Sequence, residues 1–139
     1  MLPADDVLAI QHLITAYGHI VDARQWDRLT ELFTADLVFE PWQDGMPPTT
    51  TLDELIARWA APGFPHPTAH HATNVFVEAG DDGVVVVTWK GISVHRDGLS
   101  RSFVYHERLR RTAQGWRGFW RRVELRPTDV PPPEPVVAA

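Results

Sequence analysis

The chain has 139 residues, enough for one domain with a genuine core and too few for two. Its 44% apolar, 10% aromatic and 22% charged residues exclude wholesale disorder, and the absence of Cys excludes disulfide scaffolds, thiol nucleophiles and thiolate metal sites. A net charge of −5 without any basic recognition motif argues against nucleic acid as a partner.

At the N-terminus, Asp5 and Asp6 stand where a secretory leader needs positive charge, and no stretch approaches about 18 apolar residues. A cytoplasmic protein with no membrane partner is expected. Val7, Ile10, Ile14, Tyr17 and Val21 recur at steps of three or four and predict an amphipathic helix, with Pro3, Asp5 and Asp6 marking its start. Asp22 follows Tyr17 by five residues, a turn of about 140° on an ideal helix, so it stands at the edge of the buried stripe or just past the helix end. Trp26, Leu29, Leu32 and Phe33 predict a short second helix over 26–33. Leu37 and Phe39 read as a short strand, and residues 41–51 as a loop. Thr51, with Glu54 three residues on, forms a capping-box signature for a helix over 52–60, and Pro62, Pro65 and Pro67 end it.

From Ala69 the apolar period changes to two. Residues 70–78, 84–95, 99–111 and 115–126 read as strands separated by GDDG, by the Asp97-Gly98 hairpin signal and by TAQG. The expected fold is α+β: N-terminal helices packed on a strongly curved antiparallel sheet, a cone enclosing a pocket. One domain over 1–126 would be followed by a Pro-rich tail over 127–139. Residues 101–126 hold eight Arg against Glu107 and Glu124, which is either a solvated strand face or a recess for an anionic group.

His70 and His71 are neighbours on a predicted strand, so only one can face a pocket, and they cannot chelate one metal ion. No metal ligand set is read from the sequence. Strand alternation puts His70, Ala72, Asn74 and Phe76 on one face. Tyr105 is placed with Phe103 and Glu107, opposite His106, and is the better pocket candidate of the two; His95 carries a smaller expectation. Taken alone, Tyr17 reads as a core aromatic and Asp22 as a capping or solvent-facing carboxylate. Trp42, beside a loop rich in Pro and Thr, is the Trp expected to wall the cavity.

Ile10, Leu13, Tyr17 and Asp22, then Trp26-Asp27-x-Leu-x-x-Leu-Phe-x-x-Asp36, His70-x-x-x-Asn74, Tyr105-x-Glu107 and Arg111-Thr112-x-x-Gly115-Trp116-Arg117 follow in an ordered series. In that order and spacing, over about residues 7–126, the chain resembles the SnoaL-like branch of the NTF2-like superfamily. That branch is similar to scytalone dehydratase, bile-acid dehydratases and the hexachlorocyclohexane dehydrochlorinase, and includes polyketide cyclases. The resemblance implies an α+β cone, commonly a homodimer or homotrimer, with His70 as catalytic His and Asp22 as its carboxylate partner. It also implies Tyr17 beside the pocket and Arg121 near an Arg that binds a leaving or developing anion, with the adjacent Arg122 competing for that register. Asn74 and Tyr105 join Trp42 as expected substrate contacts. Glu107 departs from the pattern, standing where an Asp is commoner.

A neutral imidazole oriented by a carboxylate can take a proton from carbon next to a carbonyl, and no GxSxG turn offers an acyl-enzyme nucleophile. Tyr17 and Arg121 would then stabilise developing negative charge. The expected function is a cofactor-independent lyase of the dehydratase type, acting on a small, largely apolar carbonyl compound that can carry an anionic group. An isomerase or aldol-type cyclase would use the same dyad. A non-catalytic ligand-binding module is the third reading, because a fold does not fix its function.

Overall fold

In the computed structural model of the protein, residues 1–128 are described; most of the Pro-rich tail, 129–139, lies outside the described residues. The apolar stripe of the first segment forms helix α1 (Ala4–Asp22), which buries Ile10, Leu13, Ile14, Tyr17, Gly18, Ile20 and Val21. It ends in paired backbone bonds: Gln25 N–H donates to the Ile20 carbonyl and Arg24 N–H to the Val21 carbonyl, both at 3.0 Å. This closure needs a left-handed residue, and Arg24 supplies it at φ 57° where glycine is usual. The predicted second helix is a short 3₁₀ helix of two turns, Trp26–Glu31. Phe33 belongs instead to strand β1 (Phe33–Glu40), because Gly118 of the last strand donates its N–H to the Leu32 carbonyl and draws the chain into the sheet.

Helix α2 (Leu52–Ala60) starts as its capping signature requires. Thr51 accepts from Glu54 N–H at 3.1 Å, and Glu54 reaches back to Thr50 N–H at 2.9 Å, one residue earlier than in the standard box. Four strands follow, β2 (Ala69–Ala79), β3 (Val85–Val94), β4 (Ser100–Thr112) and β5 (Gly115–Leu125), paired antiparallel in sequence order. The fifth strand of the sheet is β1, which pairs parallel with β5, giving the order β1-β5-β4-β3-β2. That long-range pairing carried no signal in the local sequence pattern. The sheet is curled and unclosed, and α1 lies chiefly against β2.

Alternation along β2 breaks at one place. Thr73 pairs with Lys90 and Phe76 with Thr88, so Asn74 and Val75 together face Trp89 in a β-bulge. Asn74 takes φ 52° there, a conformation Asn tolerates better than most residues. The side-chain phase therefore flips: Ala72, Val75 and Val77 pack toward the core, whereas Phe76 is 61% exposed. The expected single face of His70, Ala72, Asn74 and Phe76 holds only as far as Ala72. Two glycines permit close layers at the site. A Cβ on Gly18 would lie 2.7 Å from the His70 carbonyl oxygen, and one on Gly91 would run into the Tyr105 ring.

No helix among the described residues is long and apolar enough to cross a membrane.

Candidate active site

Asp22 occupies the last residue of α1, one turn beyond Gly18, and the close approach at Gly18 brings it against the first residues of β2. Its two carboxylate oxygens hold His70 at two points. Oδ2 accepts the His70 backbone N–H at 3.0 Å and Oδ1 accepts from ring Nδ1 at 2.7 Å. With Nδ1 donating to Asp22, the lone pair falls on Nε2, which has no protein partner among the described residues. Burial lowers the His70 pKa below its usual 6.5, and the Asp22 hydrogen bond and charge only partly offset this, so the ring is a neutral base at pH 7.

His70 lines a cavity of about 270 Å³, just below the range of about 300–1,000 Å³ usual for small-molecule sites. Its walls are largely apolar: Val21, Phe39, Trp42, Met46, Trp59, Phe103 and Val123. Tyr17 and Tyr105 add two hydroxyls, and the Tyr17 ring stands edge-on to His70 with centroids 5.8 Å apart. Burial raises the Tyr17 pKa, opposed by the charge of Arg121, and raises that of Tyr105 much further. Both remain protonated hydrogen-bond donors at neutral pH. Trp42 packs on Phe103, with centroids 5.6 Å apart, and forms part of the wall.

Arg121 is placed differently from expectation. It is fully buried beneath the cavity floor and is not among the lining residues. Its guanidinium lies 4.1 Å from the centre of the Tyr17 ring and 4.7 Å from that of Phe33, and it donates to Glu107 at 2.6 Å. Burial works against its charge, but Glu107 beside it overcomes this and keeps it protonated. Glu107 also accepts from Trp89 Nε1 at 2.7 Å, and Trp89 stacks on Tyr105 with centroids 3.8 Å apart. Tyr17 and Tyr105 thus rest on a buried Arg–Glu pair, and Arg121 packs over their rings without lining the cavity. The register between the adjacent arginines is settled as well: Arg122 faces outward and pairs with Glu124 at 2.9 Å.

Asn74 does not reach the cavity. It is exposed at the bulge, where its Oδ1 accepts from Thr73 Oγ1 at 2.9 Å and its backbone takes the left-handed φ the bulge needs. Five polar residues that the sequence pattern left unmarked or weighted lightly do line the cavity: Gln43, His66, Ser93, His95 and Arg101. The Asp97-Gly98 turn could have found two of them, because residues equally distant from a hairpin's centre pair, and Ser93 pairs with Arg101. His66 lies on the Pro-rich connection, stacked on Trp26, with Nε2 donating to the Trp59 carbonyl at 2.6 Å. A shallower depression of about 750 Å³ adjoins the cavity, sharing His66 and His95 and adding Arg24 and Arg96, but neither Tyr17 nor His70 lines it.

An α+β cone with a pocket between its first helix and its curled sheet is the NTF2-like fold. The SnoaL-like domain profile matches residues 3–122, and the chain belongs to that family. Solved structures agree on the fold. An NTF2-like protein with a cystatin-like fold from Novosphingobium aromaticivorans aligns with TM-score 0.75 at 21% identity, over 87% of this chain and 82% of that one. A protein of unknown function with a cystatin-like fold from Nostoc punctiforme aligns with TM-score 0.77 at 19% identity, over 91% and 96%. LinA aligns with TM-score 0.71 at 19% identity, over 91% and 97%. No curated protein matches the chain. Membership of that family supports an enzymatic or ligand-binding role.

Proposed function

We propose that the protein is an acid–base lyase of the dehydratase type acting on a small, largely apolar carbonyl compound. The observation that carries this reading is the two-point grip of Asp22 on His70, which leaves a neutral imidazole nitrogen unpartnered at the cavity wall. His70 would take the proton from the carbon next to the carbonyl. The C–H electron pair moves onto the carbonyl oxygen, where the Tyr17 hydroxyl donates to the enolate. When that pair returns to form the C=C bond, the C–O bond to the β-hydroxyl breaks. The departing oxygen takes the proton from the imidazolium and leaves as water, restoring neutral His70.

Asp22 orients the imidazole and stabilises its cationic form. Arg121 acts at one remove, holding the Tyr17 ring from beneath. The same first step serves an isomerase, which returns the proton to another carbon, or a cyclase, whose enolate attacks an aldehyde.

The test is proton exchange in D2O, followed by NMR, across a panel of β-hydroxy ketones and their unsaturated products. Wild type should introduce deuterium next to the carbonyl and form the alkene. His70→Gln should slow both by about 10²–10⁴-fold. Exchange without alkene favours the isomerase or cyclase reading. Wild-type rates in His70→Gln, with folding intact, sink the acid–base reading and leave a binding module.

A further inference from the structure

Arg101 is the one side chain with a permanent charge among the residues lining the cavity, and no carboxylate lines it. The arginine is half-buried, and among the described residues it forms no ion pair. Its only side-chain hydrogen bond among the described residues runs from Nη1 to His95 Nε2 at 3.2 Å. A guanidinium can only donate, so His95 Nε2 accepts and that ring carries its proton on Nδ1. Ser93 Oγ lies 2.9 Å from the same nitrogen. One imidazole lone pair cannot serve both donors in full, and the remaining N–H groups of Arg101 have no protein acceptor among the described residues. The cluster therefore holds more donors than acceptors within a largely apolar cavity.

Strand register fixes where this cluster stands relative to the dyad. His70 pairs with Ser93, and Ser93 pairs with Arg101, so the three lie side by side across β2, β3 and β4 and face the same side of the sheet. At about 4.8 Å per strand, the backbones of His70 and Arg101 are roughly 10 Å apart. A molecule spanning the cavity would present one end to His70 and Tyr17 and the other to Arg101.

We infer that Arg101, with His95 and Ser93, forms a carboxylate-binding subsite, and that the substrate class is an apolar carboxylic acid whose reacting carbonyl lies remote from its carboxylate. A planar monoanion suits the cluster because it matches one guanidinium in charge and can accept two of its N–H groups in parallel. The reacting carbonyl rests on the lyase reading; the subsite itself does not.

Equilibrium binding tests the subsite without any turnover. Trp42 and Trp59 line the cavity, so their fluorescence can report titration of the full-length protein with 2-naphthoate and with the neutral 2-naphthamide. Wild type should prefer the acid by roughly tenfold or more, the scale of a charge-assisted pair. Arg101→Gln should erase that preference while amide affinity stays within about twofold, and Arg101→Lys should restore part of it. Arg96→Gln, altering the adjoining depression, should keep it. Equal affinity for the two compounds, binding of neither, or a preference that survives Arg101→Gln overturns the inference. If the preference is present and His70→Gln still turns substrate over at the wild-type rate, the subsite stands and the lyase reading falls.

Discussion

Gly18 and His70 meet so closely that a Cβ on the glycine would sit 2.7 Å from the His70 carbonyl oxygen. Helix propensity alone favours Gly18→Ala by about 1 kcal/mol. The obstructing atom is backbone, which cannot swing aside, so the clash should win. Gly18→Ala is expected to lower stability by about 1–3 kcal/mol in chemical denaturation and to reduce proton exchange by separating β2 from Asp22. A more stable, fully active variant would show that the two elements have room to spare.

Acid should switch the dyad off below the ordinary histidine range. Because burial holds the folded His70 pKa under 6.5, kcat/KM should be flat near neutrality and reach half its plateau below pH 6.5. Asp22 raises that pKa, so Asp22→Asn should move the acid limb lower still while depressing the plateau. Stability follows with a defined sign. The unfolded chain takes up a proton at pH 6.5 while folded His70 does not, and His66, also lowered chiefly by burial, acts the same way. This contribution is complete above pH 6.5 and is lost as pH falls toward the folded values. Denaturation midpoints measured between pH 8 and 5 check it; a rise on acidification contradicts it.

The Glu107–Arg121 pair should behave as a unit. Glu107→Leu leaves the Arg121 guanidinium buried without its acceptor and removes that of Trp89, for an expected loss of about 3–5 kcal/mol. Combining it with Arg121→Met removes the stranded charge, so the double variant should lose clearly less than the sum of the singles. Additive losses in a double-mutant cycle would mean that the two side chains act independently.

Asn74 should matter for its backbone and not for substrate. Asn74→Gly should leave both stability and substrate KM near wild type, because glycine adopts φ 52° freely. Asn74→Val should cost about 1–3 kcal/mol, since a β-branched residue resists that conformation. A specific rise in KM in Asn74→Gly would return the side chain to the substrate site.

Both α-helices and the four-strand meander were legible because each is a local pattern: stripes at three and four, a Thr51–Glu54 cap, alternation bounded by turns. What escaped were features where geometry overrides alternation or where partners are distant. The end of α1 was ambiguous because Arg24 occupies the left-handed position that a Gly would have advertised. The bulge at Asn74 reversed the facing of Phe76 with no Gly or Pro to mark it. Parallel pairing of β1 with β5 joins segments about 80 residues apart, which no window on the chain can register. At the site, resemblance brought Asp22 to His70 across 48 positions, but it placed Arg121 at the substrate, where its aromatic neighbours and Glu107 hold it below. Arg101 was hidden among eight C-terminal arginines until strand register singled it out.

Three prolines, Pro41, Pro65 and Pro67, help to line the cavity. Each has a fixed φ and no N–H to offer an incoming molecule. Those parts of the wall are therefore stiff and chemically mute. There the cavity discriminates by girth, much as a sieve does, and chemical discrimination falls to the polar groups that share the lining, among them His70, Tyr17, Tyr105 and Arg101. Replacing a proline would change how wide a molecule the cavity takes, whereas altering those polar groups would change which chemistry it holds.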